Sequence, residues 1–400
     1  MKLVWILIVL TIAGYLGGRY VFSKQRLPAI IRDIFLTGWE FILLGVAIGP
    51  MGMDLIPAMQ IASLDPFIAL GLGWAGLIYG VQMSRSDLSK VDKAVMRLTF
   101  IQSAIVWAGV LVFAFALFYA IFDLTFVETF TTAFVIAAAA AISSPTALTL
   151  MAPSLPKSRF GAIRILKIIA TLDVIPAIIG IGVLFCFFSA ESGSQFSLNR
   201  GMAFLSLSLI MAILLAILFR LFGRDKYHDD EELTLLIGYL VLIAGMAFYI
   251  RLSPLFLSFV VGVILANVLK ADDKIFKMLF STEKPFYVIL LIITGLLLPP
   301  LSFPLIIVTV LILVARLWLK IIAMEREGSL FLEEHKTAGR HAGFALVAQG
   351  ALAPAIGLNY LLTYPGEGPK LAFVVIVTGM IINEILAPFL IRKTIGNQVQ

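Results

Sequence analysis

The chain is poor in charge and nearly devoid of cysteine. Only 14% of its 400 residues are Asp, Glu, Lys or Arg, and 61% are hydrophobic. Soluble domains carry roughly 25% charged residues, so a water-facing globular surface is excluded. Disorder is excluded as well, because it needs low hydrophobicity and high charge. The single cysteine, Cys186, excludes an internal disulfide framework and a cysteine metal cluster. The three histidines, His228, His335 and His341, fall in or beside polar loops. Neither His-Glu-x-x-His nor Gly-x-Ser-x-Gly occurs, and no pair of aspartates lies within an apolar run. Nothing therefore supports a membrane-embedded enzyme. No loop is long enough to form a domain of its own, so function has to reside in the apolar segments or on short connections.

What is present is apolar sequence in near-continuous runs. Alternation is missing, which argues against an outer-membrane barrel and for an all-α polytopic membrane protein. A spanning helix needs about 20 mostly apolar residues. Thirteen segments qualify: 3–22, 34–50, 65–83, 97–122, 127–151, 161–188, 201–222, 231–250, 254–269, 283–299, 301–324, 338–358 and 369–392. The first lacks a small-residue cleavage site and reads as a retained span. The basic residues test this count. With the Arg19–Arg32 loop placed inside, 23 of the 30 Lys and Arg residues fall on that side, against four (Lys2, Arg200, Arg251 and Lys370) on the other. The positive-inside rule then sets the N-terminus outside and the C-terminus in the cytoplasm. The net charge of +6 thus encodes orientation and not a nucleic-acid surface.

Six ionisable residues remain inside the spans: Glu40, Lys167, Asp173, Arg316, Lys320 and Glu384. Each costs roughly 2.5–3.5 kcal/mol on insertion scales at the helix centre, so each calls for a reason. Asp173 lies twelve residues beyond Gly161, about 18 Å along a helix, and its side chain is too short to reach the interface. Arg316 and Glu384 share a depth of about 12 Å from the inner side, which suggests an ion pair. Lys320 is one turn nearer the cytoplasm and reads as a snorkelling side chain. Lys167 reads as an interface anchor and Glu40 as an interfacial or packing residue.

Two spans carry helix breakers among small polar residues. One is Ala141-Ile142-Ser143-Ser144-Pro145-Thr146-Ala147; the other is Ala348-Gln349-Gly350-Ala351-Leu352-Ala353-Pro354. Pro145 and Pro354 are expected to interrupt their helices, and the freed backbone groups need partners or a cavity. Pro145 is followed 28 residues later by Asp173, and Pro354 is followed 30 residues later by Glu384. A broken helix followed by an acid-bearing helix therefore occurs twice, in opposite directions across the membrane. Inverted repeats with discontinuous helices point to a secondary transporter with a midplane site. Ser143, Ser144 and Thr146 supply hydroxyls there, suited to a hard cation.

In this order and spacing the residues resemble the monovalent cation:proton antiporter superfamily, the sodium/hydrogen exchanger fold, and its second branch of bacterial Na+/H+ and K+/H+ antiporters. The resemblance is carried over roughly residues 30–392 by Gly45 to Pro50, Gly71 to Leu88, Ser143-Ser144-Pro145, Leu172-Asp173, Arg316, Gly343 to Gly350, and Ala387-Pro388. It implies a homodimer in the cell (inner) membrane, in contact with lipid and without a cofactor. Residues 1–96 and 231–300 would form dimerisation helices. Residues 97–200 and 301–400 would form a moving core, joined through a linker at 201–230. Asp173 matches the ion-binding aspartate, and Arg316 matches the basic residue facing it, with Lys320 and Glu384 as further charge compensation. The helix crossing would form around Ser144-Pro145 and Gly350-Ala351. The implied activity is exchange of Na+ or K+ for protons by an elevator movement. One aspartate preceded by Leu172, with arginine in the basic position, suggests electroneutral exchange; Glu384 keeps a second titrating group open. A cation- or proton-coupled solute transporter and a non-transporting sensor on the same fold remain as alternatives.

Overall fold

The computed structural model describes residues 12–16, 37–57, 62–156, 160–188, 196–222, 229–269, 273–331 and 342–396. The first expected span is thus described only at 12–16, where it is helical, and the three histidines lie outside the described residues. In chain order the helices are α1 (Glu40–Ile48), α2 (Asp65–Val81), α3 (Arg85–Leu88), α4 (Lys93–Ile121), α5 (Phe126–Ala141), α6 (Pro145–Met151), α7 (Phe160–Leu172), α8 (Val174–Phe187), α9 (Leu198–Phe222), α10 (Asp229–Tyr249), α11 (Pro254–Ile264), α12 (Asp273–Ser281), α13 (Glu283–Leu296), α14 (Phe303–Phe331), α15 (Ala342–Ala345), α16 (Leu352–Thr363) and α17 (Glu367–Ile391). The protein is all-α. Six stretches among the described residues are long and apolar enough to cross a membrane.

Local sequence explains where the helices begin. Asp92 caps α4 by accepting from Ala94 N, Thr125 caps α5 by accepting from Glu128 N, and Ser253 caps α11 by accepting from Phe256 N. Such oxygens satisfy N–H groups that no helical carbonyl can reach. Pro145 and Pro254 each occupy the first helical position, where the missing N–H costs nothing. Pro145 therefore starts a half-helix and does not kink a continuous one, in line with the interruption expected from the sequence. Pro354 lies in the first turn of α16, and the second break falls before it, over residues 346–351.

The helices pack as two groups. In one, α1 lies on α13, α2 on α11 and α10, and α9 on α11. In the other, α5 touches α4, α8, α16 and α17, while α14 touches α4, α15 and α17. The first group is built on glycine. A Cβ at Gly45 would meet Ile292 O and one at Gly295 would meet Ile42 O; Gly80 lies against Phe259 O and Gly262 against Leu77 O. In a membrane no hydrophobic drive holds helices together, so small residues that let backbones pack at van der Waals contact take its place. The α1–α13 and α2–α11 crossings repeat one another, as the inverted repeat requires. Outward faces of α4, α9 and α14 carry exposed apolar residues such as Val112, Leu214 and Trp318.

Candidate functional site

The two breaks meet. α5 ends at Ala141 and α6 starts at Pro145, with Ile142, Ser143 and Ser144 extended between them. α15 and α16 are separated by residues 346–351. Ser144 N donates to Ala348 O at 2.7 Å, one backbone joining the other. Gly350 has φ of +66°, and a Cβ there would lie 2.8 Å from Ser144 Oγ. Only glycine takes this conformation and this closeness together.

A helix that stops in the interior leaves its last carbonyls without partners. For α5 these oxygens are taken by three side chains. Gln349 Nε2 donates to Ala139 O (2.7 Å), and Arg316 Nε donates to Ala140 O (2.8 Å). Lys320 Nζ donates to Ala141 O (3.1 Å), and Arg316 Nη2 donates to Ile142 O (3.0 Å). Arg316 Nη1 reaches across to Val347 O at 2.9 Å in the other break. Two cations at the negative end of α5 also complement its dipole. Arg316 and Lys320 are one turn apart on α14 and are 1% and 0% exposed.

Amide groups freed by the breaks are taken by carboxylates. Asp173 lies between α7 and α8 and is fully buried. Pro176 has no N–H to offer Leu172 O, which loosens the helix at this point. Asp173 Oδ1 accepts from Ser143 N (3.0 Å), and Oδ2 accepts from Ser143 Oγ (2.6 Å). Lys320 Nζ stands 3.7 Å from Oδ2 and also contacts Ser143 Oγ. In the second break, Glu384 Oε1 accepts from Gln349 N (2.9 Å) and Gly350 N (2.7 Å). Asn383 Nδ2 donates to Gln349 Oε1 at 2.8 Å and so orients the side chain that bridges the breaks.

The structure thus gathers Asp173, Ser143, Arg316, Lys320, Gln349, Gly350 and Glu384 around one crossing. Several expectations change. Lys320 does not snorkel; it is the cation beside Asp173. Arg316 forms no ion pair with Glu384 among the described contacts, since its donors hold three carbonyls. Of the three hydroxyl residues, Ser143 is hydrogen-bonded to Asp173, whereas Ser144 Oγ turns to Thr146 N at 3.3 Å. Thr146 contributes its N–H to that contact, and its hydroxyl is not brought to Asp173. Sequence reasoning named Lys320 as charge compensation but expected it to snorkel, and it missed Asn383. The i, i+4 spacing of Arg316 and Lys320, which puts both on one helix face, was the available signal for Lys320.

A cavity of about 570 Å³ lies between α3 and α7. Leu172, the chain neighbour of Asp173, is among its lining residues, with Gln82, Lys90, Arg164, Lys167 and Thr171. On the opposite side, a cavity of about 460 Å³ is lined by Asp65, Leu296, Leu361 and Lys370.

No family model and no curated protein matches the sequence. Among solved structures, the chain is similar to the sodium proton antiporter MjNhaP1 from Methanocaldococcus jannaschii, solved at pH 8. The TM-score is 0.66 at 18% identity, covering 97% of this chain and 99% of that one. The chain has the antiporter fold. Within that fold, the crossing of the two broken helices is the place where this chain gathers its buried charges.

Proposed function

We propose that the protein exchanges a monovalent cation, Na+ or K+, for protons across the cell membrane by alternating access. The observation that carries this reading is Asp173: one buried carboxylate at the crossing of two broken helices, held by Ser143 and faced by Lys320. The similarity to a sodium proton antiporter supports it. Asp173 binds a proton or a cation, not both. Ser143 Oγ is bonded to it, and the Ile142 carbonyl, which shares Lys320 Nζ with it, offers a second hard oxygen of the kind an alkali cation needs. In the empty site Lys320 stands where a cation would stand and offsets the desolvation of the carboxylate. Cation entry displaces the ammonium from Asp173. Arg316 stays in place, because its bonds to Ala140, Ile142 and Val347 hold the two breaks together.

The core comprises residues 97–200 and 301–400. It slides against a scaffold of residues 1–96 and 231–300, joined by the helix at 201–230, within a homodimer. The 570 Å³ cavity is the cytoplasmic entry, with the N-terminus outside. Asp173→Asn keeps the size and most hydrogen bonds of the side chain but cannot exchange a proton. Purified Asp173→Asn in proteoliposomes is expected to show no cation-dependent proton movement while expressing normally. Wild-type exchange rates in that variant would refute the mechanism.

A further inference from the structure

Glu384 is held by one oxygen only. Oε1 takes both amides of the second break, but Oε2 has no hydrogen-bond partner, and Glu384 is 1% exposed. The hydroxyl of Thr37 lies beside it, and Thr37 Oγ1 is also without a partner at 2% exposure. Thr37 precedes α1 and is tied to α13, because the Tyr287 hydroxyl donates to Thr37 O at 2.9 Å. The two bare oxygens therefore face each other across the boundary between the two helix groups. One belongs to the group that carries Asp173, the other to the group that does not.

An ionised oxygen stripped of water and given no donor is costly. The Thr37 hydroxyl beside Oε2 can itself donate to the ionised oxygen, but it belongs to the other helix group; where movement takes it away, a proton on Oε2 removes the charge left without a donor. Arg316 from α14 is the charged group that acts on Glu384; Glu384 in turn acts on Tyr287 of α13, the residue that holds Thr37 O, together with Tyr79 from α2, Glu40 from α1 and Glu283 from α13. Asp173 differs in both oxygens being engaged within its own helix group. Displacement of one group against the other would leave Asp173 with its partners and change those of Glu384.

We propose that Glu384 is a second coupling carboxylate: it takes a proton from water when Asp173 is protonated, crosses with it, releases it to water on the other side, and returns ionised when Asp173 holds the cation. This rests on the exchange function proposed above. Two protons then move against one cation, and each cycle transfers one net charge. Balance points are measured in proteoliposomes as the cation gradient at which proton flux stops, with and without an imposed potential. For the wild type, roughly 60 mV is expected to move the balance point about tenfold in cation gradient. Glu384→Asp keeps this response. Glu384→Gln, whose amide oxygen still accepts from Gln349 N and Gly350 N, exchanges with a balance point that ignores the potential. A wild type insensitive to potential, or a Glu384→Gln variant that responds like wild type, overturns the proposal while leaving exchange at Asp173 intact. Absence of any exchange in the wild type overturns both. If neither variant folds, proton release by detergent-purified wild type on Na+ or K+ addition decides: two protons per bound cation support the second carboxylate, and one refutes it.

Discussion

At the residue scale, the site is a set of unmet backbone groups matched to side chains. Ile142 and Ser143 are extended because Pro145 begins the next half-helix, and their exposed backbone groups draw in Asp173, Arg316 and Lys320. Ser143 has three roles: its N–H and its hydroxyl hold Asp173, and its oxygen meets Lys320. Ser143→Ala keeps the amide bond and removes the hydroxyl. A hydrogen bond to a charged group is worth about 1.5–3 kcal/mol. The variant is therefore expected to raise the cation KM on the order of tenfold, with a smaller change in maximal rate. An unchanged KM in the same vesicle assay would remove Ser143 from the cation's ligands. Asp173 itself was legible in the sequence, because a short acid in mid-span has few structural excuses. Lys320 was legible only in part, as charge compensation on the resemblance and as a snorkelling residue on its depth, because a long side chain one turn from Arg316 is compatible equally with the interface and with the interior.

At the scale of elements, the crossing depends on one backbone conformation. Gly350 combines a positive φ with contact to Ser144. Gly350→Ala adds backbone strain of order 1–3 kcal/mol and drives a methyl group into Ser144, next to the serine that holds Asp173. The variant is expected to lose exchange and to unfold at lower temperature; a thermal midpoint equal to wild type with normal transport would contradict this account. The breaks themselves were visible as small polar runs with proline. Their extent was legible in part: the second break was expected near 349–354 with Gly350 at the crossing, and it runs over 346–351, so that Pro354 already lies inside α16, which begins at Leu352. Proline is tolerated throughout a first turn, so it marks the neighbourhood of a helix start and not the residue.

At the scale of the whole molecule, the two cavities lie on opposite sides of the crossing and differ in charge. One carries Lys90, Arg164 and Lys167; the other has Lys370 and Asp65 at its lining. The sole cysteine, Cys186, is buried, so single introduced cysteines can be labelled against a silent background. Lys90→Cys is expected to react with a membrane-impermeant thiol reagent only from the cytoplasmic side, and Lys370→Cys only from outside. The reverse pattern would invert the proposed orientation.

Sequence alone determined the all-α membrane character and the two acid-after-break units. These follow from one-dimensional quantities: the length of apolar runs, the side on which charges fall, and the cost of an acid in hydrocarbon. Packing decided the rest. Lys320 faces Asp173, Arg316 bridges carbonyls in preference to pairing with Glu384, and Glu384 keeps one oxygen bare beside Thr37. Each outcome depends on which orphaned group lies within about 3 Å of which donor. Residues 143, 173, 316 and 349 are distant in sequence, and only the crossing of two chain breaks brings them to that distance.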